Sequence, residues 1–187
     1  MNIQHPARMD QAAFLTWVQG REERYELDRG RVVMMTGGSR EHWRIGFNIA
    51  RALDDRLDAS RYMVVPELGI DVAPGSIRFP DVVVDVPAET RGDLKARAPI
   101  LIAEVLSPSS ERVDLGDKAA EYLKLPSLIA YLVFAQDEMK AWVWTRGPND
   151  EFPPGPEVLE GQDTIARIEP LEIELPFVEI YDRVRFS

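Results

Sequence analysis

The sequence predicts an α/β (α+β) fold in which a central mixed β-sheet is flanked by helices. From residue 40 onward the hydropathy pattern runs helix, strand, strand, strand, helix, strand, an order that lays a sheet under helical cover. The 187 residues suffice for one domain, which buries roughly 70% of the surface its unfolded chain exposes. There is no cysteine, and the two histidines, His5 and His42, are too few for a metal cage, so neither disulfides nor a structural zinc are needed. We therefore read residues 1–187 as a single domain.

Each element has its own local signal. Asp10 is a helix-capping residue, and Ala13, Phe14, Trp17 and Val18 follow at helical spacing as far as Gly20. The stretches from Arg24 to Leu27 and from Arg31 to Met35 flank Asp28-Arg29-Gly30, the composition of a tight hairpin. After Gly37-Gly38, Ser39 caps a second helix with Glu41 in its first turn. Ile45, Ile49, Leu53 and Leu57 recur every four residues and predict that it runs to about Asp58. Three strands are expected from Tyr62 to Val72, Ile77 to Val86 and Pro99 to Leu106. Asp114 opens a helix that passes Leu123 and stops before Pro126. The apolar run from Ile129 to Phe134 pairs with a hairpin partner from Met139 to Thr145, and a Pro- and Gly-rich loop spans Gly147 to Pro156. Short strands near Val158 and from Thr164 to Ile168, then a last helical turn from Phe177 to Tyr181, complete the chain.

Charge narrows the function classes. The formal charge of −10, from 22 basic against 32 acidic residues, argues against a general nucleic-acid coat but leaves room for a local basic groove. The longest apolar run, Ile129 to Ala135, is far short of the roughly 20 residues a membrane span needs, and Met1 to Gln11 does not resemble a signal peptide. A cytoplasmic protein without a membrane partner is expected.

Three residues stand out chemically. Glu104 interrupts Ile100-Leu101-Ile102-Ala103 before Val105-Leu106; a strand apolar at both parities is covered on both faces, so this carboxylate needs a metal, a partner or a proton. An arginine at a sheet end is the plainer partner. Asp81 follows Pro80, whose missing N–H bends the strand. The bend either aims Asp81 into a cleft or leaves it to satisfy backbone donors, and Asp85 shares its parity. Lys118 lies on the apolar stripe of its helix, three residues after Leu115 and four before Tyr122. Its amine points toward the sheet unless it pairs with Asp114 on the surface.

The segments Arg24 to Gly30, Gly38-Ser39-Arg40-Glu41-His42, Phe79-Pro80-Asp81-Val82-Val83-Val84, Glu104-Val105-Leu106-Ser107-Pro108-Ser109, and Asp114 through Lys118 to Tyr122 together resemble the Uma-type family of predicted restriction endonucleases. The likeness covers about residues 24–144, the expected nuclease core. That family belongs to the PD-(D/E)XK nuclease superfamily, and the resemblance implies a restriction-endonuclease-like fold. It also implies that Asp81 and Glu104 bind a divalent metal, Mg²⁺ with Mn²⁺ as substitute, and that DNA is the substrate. The superfamily lysine two residues after the acid is absent, since Leu106 stands there. Lys118, from the following helix, is the implied replacement. Glu26 and His42 match accessory positions of the family; Glu67 is a weaker metal neighbour, and Glu41 is best read as a helix N-terminal charge.

Arg40 and Arg44, with Arg51, fall on one side of the second helix, either as contacts to a phosphate backbone or as a solvated face. Trp142 and Trp144 share a parity beyond the nuclease core, as a homodimer surface or as core. The expected function is a Mg²⁺-dependent endonuclease. The alternatives are a catalytically inactive nuclease-fold module that binds nucleic acid or protein, and a hydrolase of smaller phosphoesters.

Overall fold

The computed structural model describes residues 8–35, 37–87, 92–106 and 113–186, with only the backbone of residues 113 and 114. His5, the Ser107-Pro108-Ser109 part of the family motif and the side chain of Asp114 lie outside the described residues.

Helix α1 (Gln11–Val18) starts where Asp10 Oδ1 accepts the Ala13 N–H. Strands β1 (Tyr25–Asp28) and β2 (Arg31–Met34) form the expected hairpin. Its two loop residues, Arg29 and Gly30, have φ of 48° and 80°, as a tight hairpin turn with left-handed central residues requires. Helix α2 (Arg40–Asp54) is capped by Ser39, whose hydroxyl accepts the His42 N–H. It ends a turn before Asp58, although Leu57 still packs on the core beyond the helix.

Two of the three long strands expected after α2 are broken. The first divides into β3 (Met63–Pro66) and β4 (Ile70–Ala73), because Glu67 adopts a left-handed φ of 54° between them. The second divides into β5 (Ser76–Arg78) and β6 (Val82–Asp85), because Pro80 cannot donate to a ladder. At these breaks the chain changes sheets. β4 and β5 join the hairpin in a four-stranded sheet of order β2-β1-β5-β4, while β3 and β6 belong to a six-stranded sheet. That larger sheet has the order β10-β9-β8-β7-β6-β3, built from β7 (Leu101–Leu106), β8 (Ala130–Ala135), β9 (Lys140–Thr145) and β10 (Glu157–Glu160) in addition. It is mixed, since β7 and β8 run parallel and the other pairs antiparallel.

The helix expected from Asp114 opens as a π-helical turn, Val113–Lys118, and tightens into α3 (Ala119–Tyr122). Beyond β10 come β11 (Ile165–Ile168), a strand β12 (Ile173–Pro176) that the sequence pattern did not signal, and α4 (Phe177–Ile180). One face of the large sheet packs Val82, Leu101, Ala103 and Val105 against Ile45 and Ile49 of α2 and Phe177 of α4. The other packs Val83 and Ile102 against Ala119, Tyr122 and Trp144. Trp144 is thus core: it stacks on Tyr131 with ring centroids 5.4 Å apart and offers no dimer surface. Trp142 is half-buried beside the Lys140 ammonium, 5.2 Å from its ring centroid.

Asn48, fully buried on α2, donates from Nδ2 to the carbonyls of Ile180 and Asp182 at 2.9 and 3.0 Å, holding the C-terminal turn on the core. Asn48→Leu keeps the volume and takes the amide donor from the Ile180 carbonyl, leaving Asp182 only the Arg44 Nε–H at 3.3 Å, so it is expected to cost about 1–3 kcal/mol. A urea denaturation midpoint equal to that of the wild type would contradict this.

Candidate active site

The sequence-predicted acids meet where the strands change sheets. Val82 faces Ala103 and Val83 faces Ile102 in the β6–β7 ladder, so Asp81 stands one residue before that ladder on its chain and Glu104 one residue beyond it on β7. Asp81 Oδ2 accepts the Val105 N–H at 2.7 Å, and its Oδ1 lies 3.0 Å from His42 Nε2. Burial pushes the Asp81 pKa up. The His42 hydrogen bond and charge, the Val105 N–H and the Lys118 charge together outweigh burial and hold it below the ordinary carboxylate value. With the carboxylate ionised, His42 Nε2–H is the donor of this pair.

Glu104 is held from the opposite side. Lys118 Nζ donates to its Oε1 at 2.9 Å and the Tyr122 hydroxyl donates to the same oxygen at 3.2 Å. Lys118 and Tyr122 are four residues apart, so they share one side of their helix. Burial, reinforced by the Glu104 charge, raises the Tyr122 pKa well above its usual value and keeps the hydroxyl a donor. The surface reading of Lys118 is corrected here: the residue is only 7% exposed, and its ammonium faces Glu104.

Lys118 also reaches Glu26 Oε1, 3.7 Å away. Glu26 Oε2 in turn accepts from Arg78 Nη1 at 3.3 Å. Arg78 forks onto Glu121, with Nε and Nη2 donating at 2.8 and 3.0 Å, and reaches Asp28 with Nη2 at 3.3 Å. Burial alone would lower the Arg78 pKa, but the Glu121 hydrogen bonds and the surrounding carboxylates raise it above its usual value.

Both accessory residues therefore join the cluster, His42 through Asp81 and Glu26 through Lys118. Others do not. Glu67 pairs with Arg24 at 3.0 Å and meets Asp81 only through its backbone N–H. Asp85 accepts the N–H groups of Arg97 and Ala98, both at 2.8 Å. Glu41 stands in the first turn of α2, as a helix N-terminal charge should. Arg44 contacts Asp182, and Arg40 lines the same surface cavity. Arg51 is exposed.

Sequence reasoning missed Arg78 and Glu121. Tyr122 was legible from its spacing to Lys118, and Glu121 adjoins it, but a three-residue strand carries too little periodicity to show that Arg78 points inward. A further constraint is Gly38, where an added Cβ would stand 2.5 Å from His42 Cδ2. The imidazole that holds Asp81 rests directly on this glycine.

The donor set suits a hard divalent cation. Glu26, Asp28, Glu104 and Glu121 carry four negative charges against two on Lys118 and Arg78, and Asp81 adds another beside His42. Each Asp81 oxygen accepts one bond, leaving lone pairs for a ligand role. Among the described residues no three His, Asp or Glu side chains form a ready cage.

Known proteins place the chain. Residues 11–176 match the Uma2 family, described as "Putative restriction endonuclease". Uncharacterized protein sll1609 of Synechocystis sp. (strain ATCC 27184 / PCC 6803 / Kazusa) is 31% identical over 130 residues, 67% of this chain and 73% of that protein. Uncharacterized protein slr1290 of the same organism is 27% identical over 142 residues, 74% and 75% of the two chains. The crystal structure of "a putative nuclease belonging to DUF820" from Anabaena variabilis ATCC 29413 matches with a TM-score of 0.75, covering 95% of this chain and 99% of that one. At 18% identity this likeness establishes the fold. With the family model spanning most of the sequence and the fold agreeing, the chain belongs to the Uma2 family of restriction-endonuclease-like proteins.

Proposed function

We propose that the protein is a Mg²⁺-dependent endonuclease of DNA, with Mn²⁺ as a substitute ion, in which Asp81 and Glu104 hold the metal and Lys118 acts at the scissile phosphate. One observation carries this reading: the Asp81 carboxylate accepts the N–H of Val105, the residue next to Glu104, and a buried lysine lies 2.9 Å from the Glu104 carboxylate. Family membership and the nuclease fold support phosphodiester hydrolysis as the reaction class.

A bound divalent cation supplies Lewis acidity toward a phosphoryl oxygen and lowers the pKa of a bound water. The chain's own residues do the rest. His42 and the Val105 N–H keep Asp81 ionised and aimed, so the ligand is preorganised. Tyr122 keeps a hydrogen bond on Glu104 when Lys118 leaves it for the phosphate. Lys118 then orients the attacking water or stabilises the charge that gathers on the phosphoryl oxygens. Glu26, braced by Arg78, fixes the lysine's resting position. His42 and Glu26 are thus positioning residues.

A second reading has its own support. Lys118 already neutralises Glu104 and His42 already hydrogen-bonds Asp81, and the net charge of −10 opposes duplex binding, as in a module that binds nucleic acid or protein without cutting. Titration calorimetry separates the two, because such a module has no need of Mg²⁺.

Asp81→Asn and Glu104→Gln preserve shape and remove charge, and each is expected to weaken Mg²⁺ binding by at least about tenfold, or ~1.4 kcal/mol. Both should lose cleavage in a screen of plasmid, linear, branched and single-stranded DNA with Mg²⁺ or Mn²⁺. Wild-type metal affinity in both variants would reject the metal assignment. Lys118→Met strips the cation from Glu104 and Glu26, so it is expected to cost about 3–5 kcal/mol of stability. Assayed below its own unfolding midpoint, it should bind Mg²⁺ yet lose single-turnover cleavage, as a group acting mainly in the transition state does. A wild-type rate there would remove Lys118 from the mechanism and spare the metal site.

A further inference from the structure

From the side chains around the mouth of the candidate site, we infer that the protein takes DNA with unpaired bases beside the scissile phosphate, and that Trp43 and Phe47 form the platform on which those bases stack. The inference rests on the nuclease reading above and names its substrate class. Trp43 and Phe47 are four residues apart on α2 and therefore neighbours on one side of the helix. They are 42% and 58% exposed, an unusual cost for two large aromatic side chains. Between them and the site lies a cavity of about 220 Å³ lined by Trp43, Gly46, Phe47, Ala50, Pro66 and Asp81. It opens onto the carboxylate proposed to hold the metal.

Charge identifies the occupant. The same turns of α2 border a second cavity of about 700 Å³, lined by Arg40, Glu41, Arg44, Arg183 and Arg185. Asp182 lies 3.7 Å from Arg44 and 3.5 Å from Arg183. Four arginines against Glu41 and Asp182 leave two net positive charges, in a chain whose total is −10. Arginine also borders the rings: the Arg24 guanidinium carbon is 5.0 Å from the Trp43 ring centroid, and that of Arg44 is 5.7 Å from Phe47.

A positive track beside exposed aromatic rings is how single-stranded nucleic acid is held, with phosphates on the track and base faces on the rings. An intact duplex presents base edges in its grooves and keeps base faces stacked inside, so it cannot use such rings without unpairing. The arrangement thus favours single-stranded, flapped or branched DNA over plain duplex. It also gives Arg40 and Arg44 the phosphate-contacting role their spacing suggested.

The test is binding without cleavage, so its outcome is independent of the metal assignment. The full chain in EDTA is titrated into a labelled oligothymidine of about 20 nucleotides and into a duplex of the same length, at low salt. The expected result is at least about tenfold tighter binding to the single strand, with quenching of tryptophan fluorescence that Trp43→Leu removes. Trp43→Leu and Phe47→Leu keep apolar bulk and lose the ring face; each should weaken single-strand binding about fivefold or more and leave duplex binding unchanged. Equal affinity for the two DNAs, or wild-type single-strand affinity in both leucine variants, overturns the inference. So does sedimentation in which the leucine variants convert a dimer to a monomer without changing DNA affinity, since the rings would then serve contact with a second copy.

Discussion

The charge on Glu104, 4% exposed on a strand covered on both faces, sets the terms for what packs around it. An isolated carboxylate in such a place costs several kcal/mol, so a cation must come from outside the sheet. Lys118 supplies it, and a buried ammonium then needs more acceptors than Glu104 offers. Glu26 of the first hairpin is the next, Arg78 balances Glu26, and Glu121 balances Arg78. Glu121 lies three residues beyond Lys118, so the chain of charges returns to the helix it left. This closed circuit joins β1, β5, β7 and the helical segment 113–122, and it links the small sheet to the large one. Removing Lys118 takes from Glu104 the cation 2.9 Å away, whereas Lys118 and Arg78 each meet more than one carboxylate.

Asp81 stands at the edge of this circuit rather than inside it. Its partners are His42 on α2 and a backbone N–H on β7, whereas those of Glu104 include a lysine and a tyrosine from the opposite side of the sheet. The two carboxylates stand at the same end of the β6–β7 ladder yet are held by different layers of the molecule. The breaks at Glu67 and Pro80 make this geometry. There the chain passes between sheets, and side-chain direction is no longer bound to the strict alternation of a strand. A straight β6 through Asp81 would give it the parity of Val83, inside the core that contains Tyr122.

Much of this was legible in the sequence because it rests on local rules. Capping by Asp10 and Ser39, the Arg29-Gly30 turn and the apolar stripe of α2 are short-range signals, and the structure places all of them as read. Glu104 was legible because a carboxylate within a run of β-formers has few explanations. What was lost lies at the breaks. Periodicity sees Tyr62 to Val72 as one strand because it cannot see a left-handed residue at Glu67, a non-glycine in a conformation usually reserved for glycine. It cannot see which of two sheets a three-residue strand joins, so Arg78 stayed hidden. Nor does it distinguish a π-helical turn from an α-helical one, and the helix carrying Lys118 begins as the former.

Gly38 has a consequence for descent. Because a methyl group there would overlap the His42 ring, positions 38 and 42 are not free to drift separately. A lineage that replaces His42 with a smaller side chain opens space and afterwards tolerates a residue other than glycine at 38. The reverse order first passes through a protein whose imidazole has been driven off Asp81. The hold of the imidazole on Asp81 thus depends on a position that does not itself touch the carboxylate.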